Sequence, residues 1–300
     1  MVSNVQPSTT RATLLVLLAA CCFGSVVVLT ALAERAGATL ATVIFWRYLI
    51  GGVVLVAVAG GVRRTWAGRR DGWRLLLLGG GGQTVVAVMS LKALDYIPAA
   101  TIAFLFYTYP AWVAVFAAAR GTERVDPMRV GALALSLAGI ATMVGAPWRA
   151  GGALDPVGVA LALGAAIAYA LYIPLINRLT GEHAPAAAAA HVSLGAAAIV
   201  GAGGLAMGQI SAVLAPGAWA AVAALAVIST AVAFVVFLRG LRTLGAVRTA
   251  IVSTIEPFWT TLLAVVALGQ PMRASTVAGG ALIACAVMLL QRQPARTAAA

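Results

Sequence analysis

The composition of this 300-residue chain excludes a soluble globular protein. Hydrophobic residues make up 62% of it and charged residues only 9%, which is too little charge to cover the surface of a globule of this size. The net charge of +12 is not arranged as a basic stripe with interleaved aromatic residues, so we expect anionic lipid headgroups, and not nucleic acid, to balance it. The sequence predicts an integral membrane protein.

Ten apolar stretches follow one another along the chain, separated by short clusters of charged residues, Gly and Pro. A helix needs about 20 apolar residues to cross the hydrocarbon core of a bilayer. We therefore predict an all-α integral membrane protein with ten transmembrane helices. The stretches cover approximately residues 12–33, 38–60, 75–91, 99–119, 130–147, 157–176, 184–207, 218–238, 246–268 and 274–290.

The basic residues predict the orientation of these helices. If both termini lie in the cytoplasm, the cytoplasmic segments carry fifteen of the 20 basic residues, and the outer loops carry only Arg35, Lys92, Arg149 and Arg273. This asymmetry obeys the positive-inside rule. We expect a multi-pass protein of the cytoplasmic (inner) membrane with both its N- and C-termini in the cytoplasm.

The first stretch contains a sequence, Leu-Ala-Ala-Cys ending at Cys21, that mimics a lipoprotein cleavage site. The apolar run continues past Cys21 and further apolar stretches follow it, so we expect an uncleaved first helix. Cys21, Cys22 and Cys285 have neither metal-binding nor redox spacing. We expect these thiols to pack inside helices, and we expect no metal site.

The second half of the chain repeats part of the first half. An offset of 147 residues pairs Pro110 with Pro257 and Trp112 with Trp259, inside a longer run of paired Leu and Ala residues. Matches of Leu and Ala carry little information in so apolar a chain, whereas a shared Pro-x-Trp in the middle of an apolar stretch is specific. Such self-similarity indicates an internal repeat.

The ten predicted helices therefore divide into two five-helix repeats, residues 1–149 and 150–300. Because each repeat has an odd number of helices, the second enters the membrane from the opposite side. Inverted repeats are typical of secondary transporters, in which one repeat moves against the other around a central site. This architecture predicts a transporter that works by alternating access.

Three segments of the sequence resemble the EamA-type branch of the drug/metabolite transporter superfamily. They are Trp46-Arg47 in the second stretch, ALDYIPAATIAFLFYTYPAW across the fourth, and GAVRTAIVSTIEPFWTTLLAVVALGQPMRASTVAGGALIACAVMLL near the end. The resemblance covers almost the whole chain, and its most specific element is the Glu-Pro pair of the ninth stretch. It implies a permease of small metabolites, often an exporter of amino acids or related compounds.

The chain departs from this family at one position. The family commonly has a Gly-Glu pair after the ninth helix, whereas this sequence has Gly269-Gln270 there and keeps Glu123 at the equivalent place in the first half. We therefore expect the acidic residue of that loop to be dispensable.

Two charged residues, Arg47 and Glu256, lie near the middle of the second and ninth stretches. A charge at that depth costs about 2.5 to 3.5 kcal/mol on insertion scales, and such residues usually face the interior of a helix bundle or a wet cavity. We expect Arg47 to attract a substrate carboxylate, and Glu256 to bind an amino group or to carry a proton. A structural ion pair or an anchor between helices is the alternative for both.

Two prolines predict bends in the fourth and ninth helices. Pro110 and Pro257 remove a backbone donor and disturb the preceding turn, although proline is also common in membrane helices without any special role. Because the two positions are equivalent in the repeats, we predict that they are hinges.

Aromatic and titratable side chains near these bends complete the set of candidate site residues. Aromatic residues at membrane interfaces are the usual arrangement, but these lie in mid-span, so we expect substrate contacts. His191 would serve in a proton relay, with hydrogen-bonded packing as the alternative. The aromatic candidates are Tyr107, Tyr109, Trp112 and Trp259, with Tyr169 and Tyr172 in the sixth stretch as a weaker second set, for which helix packing is the alternative.

The sequence as a whole predicts a secondary carrier that exports a small metabolite, an amino acid or a related compound. No nucleotide-hydrolysis motif is present, so ion or substrate gradients would drive it. Uniport, proton exchange, import and drug efflux stay open. An intramembrane enzyme would need paired carboxylates or a His-rich metal site, and a sensor would need an output domain.

We accordingly predict no enzymatic activity, no cofactor and no nucleic-acid partner. The expected partners are a small-molecule substrate, the lipid bilayer and protons as a coupling ion. A monomer and a homodimer are both compatible with the sequence, because small residues such as Gly204-x-x-x-Gly208 pack helices within one chain or between two.

Overall fold

The structure, a computed structural model, is built from helices and their connections, with no β-strand among the residues it describes. Those residues are 9–66, 72–93, 95–97, 99–122, 126–144, 155–181, 183–269, 272 and 274–291. The predicted all-α fold is confirmed. Glu123, Gln270, several of the arginines used for the predicted topology (among them Arg149 and Arg273) and the predicted repeat boundary at residues 149 and 150 lie outside the described ranges.

The helices of the N-terminal half follow the predicted apolar stretches closely. Helix α2 begins after Thr39, whose side-chain oxygen accepts a hydrogen bond from the Thr42 amide at 3.3 Å, a normal N-terminal cap. A short helix, Val62–Trp66, connects α2 to α3. The helices are α1 (Thr9–Arg35), α2 (Leu40–Val58), α3 (Gly72–Arg74, a π-helical turn Leu75–Gly79, and Gly80–Ala93), α4 (Ala99–Phe106 and Tyr109–Ala119) and α5 (Pro127–Val144).

The C-terminal half has the same kind of helices, but two of them are joined by a single residue. One helical run comprises Pro216–Ala226, a π-helical turn Val227–Val232, Ala233–Val252, a 3₁₀ turn Ser253–Ile255, and Glu256–Leu268. Gly245 interrupts it with φ 76° and ψ 172°. We name the part before Gly245 α8 and the part after it α9. The remaining helices are α6 (Pro156–Thr180), α7 (Pro185–Ala206) and α10 (Ala274–Gln291).

The chain reverses its direction at Gly245, as its neighbours along α1 show. Phe234 packs edge-on against Phe23, with 5.4 Å between ring centroids. Gly240 then lies against the beginning of α1, where an added Cβ would be 2.4 Å from Val16. After Gly245 the chain returns, so that Glu256 lies beside Gly24, level with Phe23. Only glycine adopts a φ of 76° without strain.

Helix lengths agree with a protein that crosses a bilayer several times. In the described part of the chain, five helical runs are long and apolar enough to do so, and the runs 109–119, 127–142 and 274–289 are shorter apolar helices. The run from Pro216 to Leu268 has 53 residues, or roughly 80 Å of helix, against about 30 Å of hydrocarbon. The reversal at Gly245 resolves this mismatch. Because the helix continues as far as this reversal, α8 ends later than residue 238, its predicted end.

The two halves of the molecule are interleaved through equivalent pairs of helices. Helix α1 packs on α8 and α9, and α6 packs on α3 and α4, while α2 packs on α7 and α5 on α10. Glycines permit the closest contacts: Gly51 of α2 lies against Thr230 in the π-helical turn of α8, and Gly80 of α3 lies against the backbone of Gly195 in α7. Small residues at helix interfaces are typical of membrane proteins.

Candidate functional site

Helices α4 and α9 both break at their centres, one or two residues before a proline. In α4 the break is a turn at Tyr107 and Thr108, and Tyr109 starts the next helical segment, with Pro110 in its first turn. In α9 a 3₁₀ turn precedes Glu256, which starts its segment in the same way. Proline lacks an amide hydrogen and is favoured in the first turn of a helix.

Glu256 and Tyr109 are equivalent residues, because the offset of 147 that pairs the two prolines also pairs them. Each is the first residue of a half-helix in the interior of the bundle. The repeats therefore place a carboxyl group at one break and a phenol at the other. The hinge function of Pro110 and Pro257 stays a prediction.

Glu256 is partly exposed within a cluster of tyrosines. Tyr107, which is 9% exposed, donates a hydrogen bond to its carboxyl group. Tyr109 and Tyr169 also lie within electrostatic reach of this carboxyl group. The structure thus brings together four of the residues that the sequence predicts for the site.

Rings from α4 and α6 form a continuous aromatic wall beside Glu256. Tyr169 is its centre: it packs edge-on against Tyr109 at 4.8 Å, and stacks on Phe106 at 5.5 Å and on Tyr172 at 6.2 Å, measured between ring centroids. The hydroxyl of Tyr109 donates to the carbonyl oxygen of Ala250 in α9 at 3.4 Å. This wall therefore bridges the two halves of the molecule.

Arg47 belongs to the same region, in α2, and is 8% exposed. Its Nε donates to Oγ1 of Thr230 in the π-helical turn of α8 at 3.0 Å. Its guanidinium carbon lies 4.8 Å from the centroid of the Tyr48 ring, a cation–π distance. The charge of Arg47 also acts on the Glu256 carboxyl group, so a cation and an acid face one region.

Two further polar side chains of this region, Gln83 and Tyr48, were not among the predicted site residues. Gln83 of α3 donates from Nε2 to the hydroxyl of Tyr48 at 3.1 Å. Both residues give no signal in the sequence beyond being polar residues inside apolar stretches. Tyr172, predicted together with Tyr169, lies next to both Tyr48 and Tyr169. It follows Tyr169 by three residues, which places both on one helical face.

The remaining predicted site residues lie around this cluster in other packing environments. Trp112 stacks on Phe116 with 6.3 Å between ring centroids. Trp259 packs on Gly24 of α1, where an added Cβ would be 3.2 Å from its Cδ1 atom. Their contact with substrate stays a prediction.

His191 is fully buried near the start of α7. Its Nδ1 is 2.7 Å from the carbonyl oxygen of Ala187, and its ring lies 4.6 Å from that of Trp66 in the connection between α2 and α3. Gly72 packs on the same ring. These contacts favour a packing role, and the proton relay stays a prediction.

Comparison with known proteins shows the family and the fold of the chain. The model of the EamA-like transporter family matches the chain twice, over residues 10–145 and 156–292. A solved crystal structure of a protein with 22% sequence identity has the same fold, with a TM-score of 0.79 over 94% of this chain and 97% of its own. No curated protein matches the sequence.

Proposed function

Since the chain belongs to the EamA-like transporter family, we propose that it is a secondary carrier that exports a small metabolite, an amino acid or a related compound, across the inner membrane. Family membership confirms the resemblance seen in the sequence, and with it a multi-pass membrane transporter. The observation that carries the finer proposal is the isolated carboxyl group of Glu256, held among tyrosines at a helix break and faced by Arg47.

The chemistry of these groups fits a zwitterionic substrate. Glu256 pairs with a substrate ammonium group, and the surrounding rings of Tyr107 and Tyr169 add cation–π attraction. Arg47 supplies the complementary charge. Because its Nε is bonded to Thr230, the two terminal nitrogens of the guanidinium are the donors for a substrate carboxylate, in the bidentate geometry that arginine favours.

We further propose that α1 to α10 each cross the membrane, with both termini in the cytoplasm, as two inverted repeats. Three observations support this topology. The chain reverses at Gly245, the family model matches it twice, and equivalent helices of the two halves make equivalent contacts. In such folds the half-helices at broken positions lie near the centre of the bilayer, and movement of one repeat against the other opens the site to each side in turn.

Glu256 is the group that would couple export to a proton gradient. A proton and a substrate ammonium group cannot bind the same carboxylate at the same time. Each movement of the site from one side of the membrane to the other therefore carries either a proton or a substrate molecule. Export of substrate then uses the inward movement of a proton. No cofactor takes part in this cycle.

The carrier proposal is tested by flux in proteoliposomes with wild-type protein, Glu256→Gln and a matched control, Glu34→Gln, at the exposed end of α1. We expect Glu256→Gln to abolish transport driven by a pH gradient. Substrate exchange at equal pH should persist at saturating substrate with a raised KM, because the substrate ammonium group loses its charged partner, and Glu34→Gln should match the wild type. Equal loss of both activities refutes proton carriage and leaves a binding or structural role. Hydrolysis or group transfer without flux refutes the carrier.

The substrate is identified by growth of an overexpressing host on toxic amino acids, amino-acid analogues and cationic drugs. Resistance to amino-acid analogues that Glu256→Gln removes supports amino-acid export. Resistance only to cationic drugs supports drug efflux, which a carboxylate among aromatic rings also suits. Increased sensitivity identifies an importer.

A further inference from the structure

The hydroxyl group of Tyr172 is buried and has no hydrogen-bond partner among the residues that the structure describes. Tyr172 is only 5% exposed and lies in the middle of α6. Buried hydroxyl groups in proteins nearly always have a partner, because leaving one unpaired in a low-dielectric interior is unfavourable. This buried hydroxyl group is therefore available to a polar group of a bound molecule, a substrate or a water.

The Tyr172 ring is held firmly, so a change of rotamer does not supply a partner. An added Cβ at Gly82 of α3 would lie 2.5 Å from its Cδ2 atom, which means that the ring fills the space left by that glycine. Its other neighbour is Tyr169, stacked nearly parallel with 19° between the ring planes. Both contacts fix the direction of the hydroxyl group.

The hydroxyl group of Tyr48 is a second donor close to Tyr172. It accepts a hydrogen bond from Gln83 and keeps its own hydrogen for another acceptor. Tyr48 and Tyr172 interact electrostatically through their hydroxyl groups, and the guanidinium of Arg47 lies over the Tyr48 ring. Two hydroxyl groups and one positive charge thus lie in one region of the bundle.

We propose that Tyr172, Tyr48 and Arg47 form the subsite that binds the carboxylate of the substrate, with Gln83 as the residue that positions Tyr48. This inference rests on the proposed function and deepens it. Tyr169 links the two ends of the site: it interacts with Glu256 and Tyr109 on one side, and with Tyr48 and Tyr172 on the other. The substrate lies along Tyr169 with its ammonium group at Glu256.

The test compares ligands that differ only in the carboxylate. L-Phenylalanine and 2-phenylethylamine form one pair, and L-leucine and 3-methylbutylamine form the other. Their affinities are measured by thermal-shift titration of the purified full chain, for wild type, Tyr172→Phe and Gln83→Met. Tyr96→Phe is the control, because Tyr96 is 41% exposed in the connection between α3 and α4.

We expect Tyr172→Phe to weaken binding of the amino acid about tenfold, as for loss of a hydrogen bond to a charged group, and to change binding of the amine by less than about twofold. Gln83→Met should act in the same direction and less strongly. Tyr96→Phe should change neither affinity.

Three results would overturn the proposal. Equal weakening of amino acid and amine assigns the hydroxyl a structural role, and no weakening of either assigns it to bound water. Absence of binding of every probe to the wild type removes the substrate class. If Glu256→Gln weakens both kinds of ligand while Tyr172→Phe weakens neither, the carrier proposal stands and only the subsite falls.

Discussion

A very close contact between the two halves of the protein lies at Gly195, and replacing this residue with alanine gives a sharp prediction. An added Cβ there would lie 1.9 Å from the carbonyl oxygen of Leu76, in the π-helical turn of α3. The contact is with backbone, so no side-chain rotation relieves it. Gly80 makes the reciprocal contact, where a Cβ would be 2.5 Å from the amide nitrogen of Ala196.

The expected magnitude follows from two opposing effects. Alanine is favoured over glycine in a helix by about 1 kcal/mol. Against this, ordinary contact begins at 3.4 Å, so α3 and α7 would have to separate by about 1.5 Å. Overpacking of a rigid interior costs typically about 1–3 kcal/mol and occasionally more. Since the clash is with backbone, we place the overpacking cost at about 3–4 kcal/mol, so that after the gain from alanine Gly195→Ala destabilises the protein by about 2–3 kcal/mol.

Gly203 provides the matched control on the same helix. Nothing lies within 4 Å of a Cβ added there, so Gly203→Ala should be neutral or stabilise the protein by up to about 1 kcal/mol. The assay is the thermal unfolding midpoint of the purified protein, for which about 2–4 °C per kcal/mol predicts a decrease of roughly 5–10 °C for Gly195→Ala. A midpoint equal to or above that of Gly203→Ala would refute the argument from close packing.

Three further predictions concern the site and the reversal. Arg47→Lys should raise KM for an amino-acid substrate in the flux assay about tenfold, because lysine has no planar fork of donors. Tyr107→Phe should lower flux more than Tyr109→Phe, since Tyr107 donates to the Glu256 carboxyl group while the Tyr109 hydroxyl bonds to the Ala250 carbonyl oxygen at 3.4 Å and to the Ser253 side chain; equal effects would contradict this. Gly245→Ala should lower the unfolding midpoint, because alanine at a φ of 76° is strained by about 1–3 kcal/mol.

The helices were predictable because the hydrocarbon thickness fixes how much apolar chain one crossing needs. The connection between α8 and α9 was not, since Arg239 and Arg242 end the apolar run without ending the helix. Arg242 instead donates to the carbonyl oxygen of Thr180 at the end of α6, at 3.1 Å. The helix ends only at Gly245, where the backbone requires a positive φ.

The charged members of the candidate site were predictable for the same reason that makes them rare. A buried charge is unfavourable enough that Arg47 and Glu256 attract notice in any apolar stretch. Tyr48 and Gln83 were not predictable, because uncharged polar residues are common in membrane helices. Their significance comes from a hydrogen bond between helices α2 and α3, which depends on how the helices pack and not on spacing along the chain.

The equivalence of Tyr109 and Glu256 explains how a symmetric scaffold would select an asymmetric substrate. Each residue begins a half-helix, and the N-terminal end of a helix carries a partial positive charge. At Glu256 the carboxyl group offsets that charge and leaves an excess that attracts a cation. Tyr109 carries no charge of its own, and its hydroxyl group lies within electrostatic reach of the Glu256 carboxyl group. Both breaks would therefore face the ammonium end of the proposed substrate, with the acid supplied by one repeat only, although the two backbones break at equivalent positions. Arg47, Tyr48 and Tyr172 would face its carboxylate.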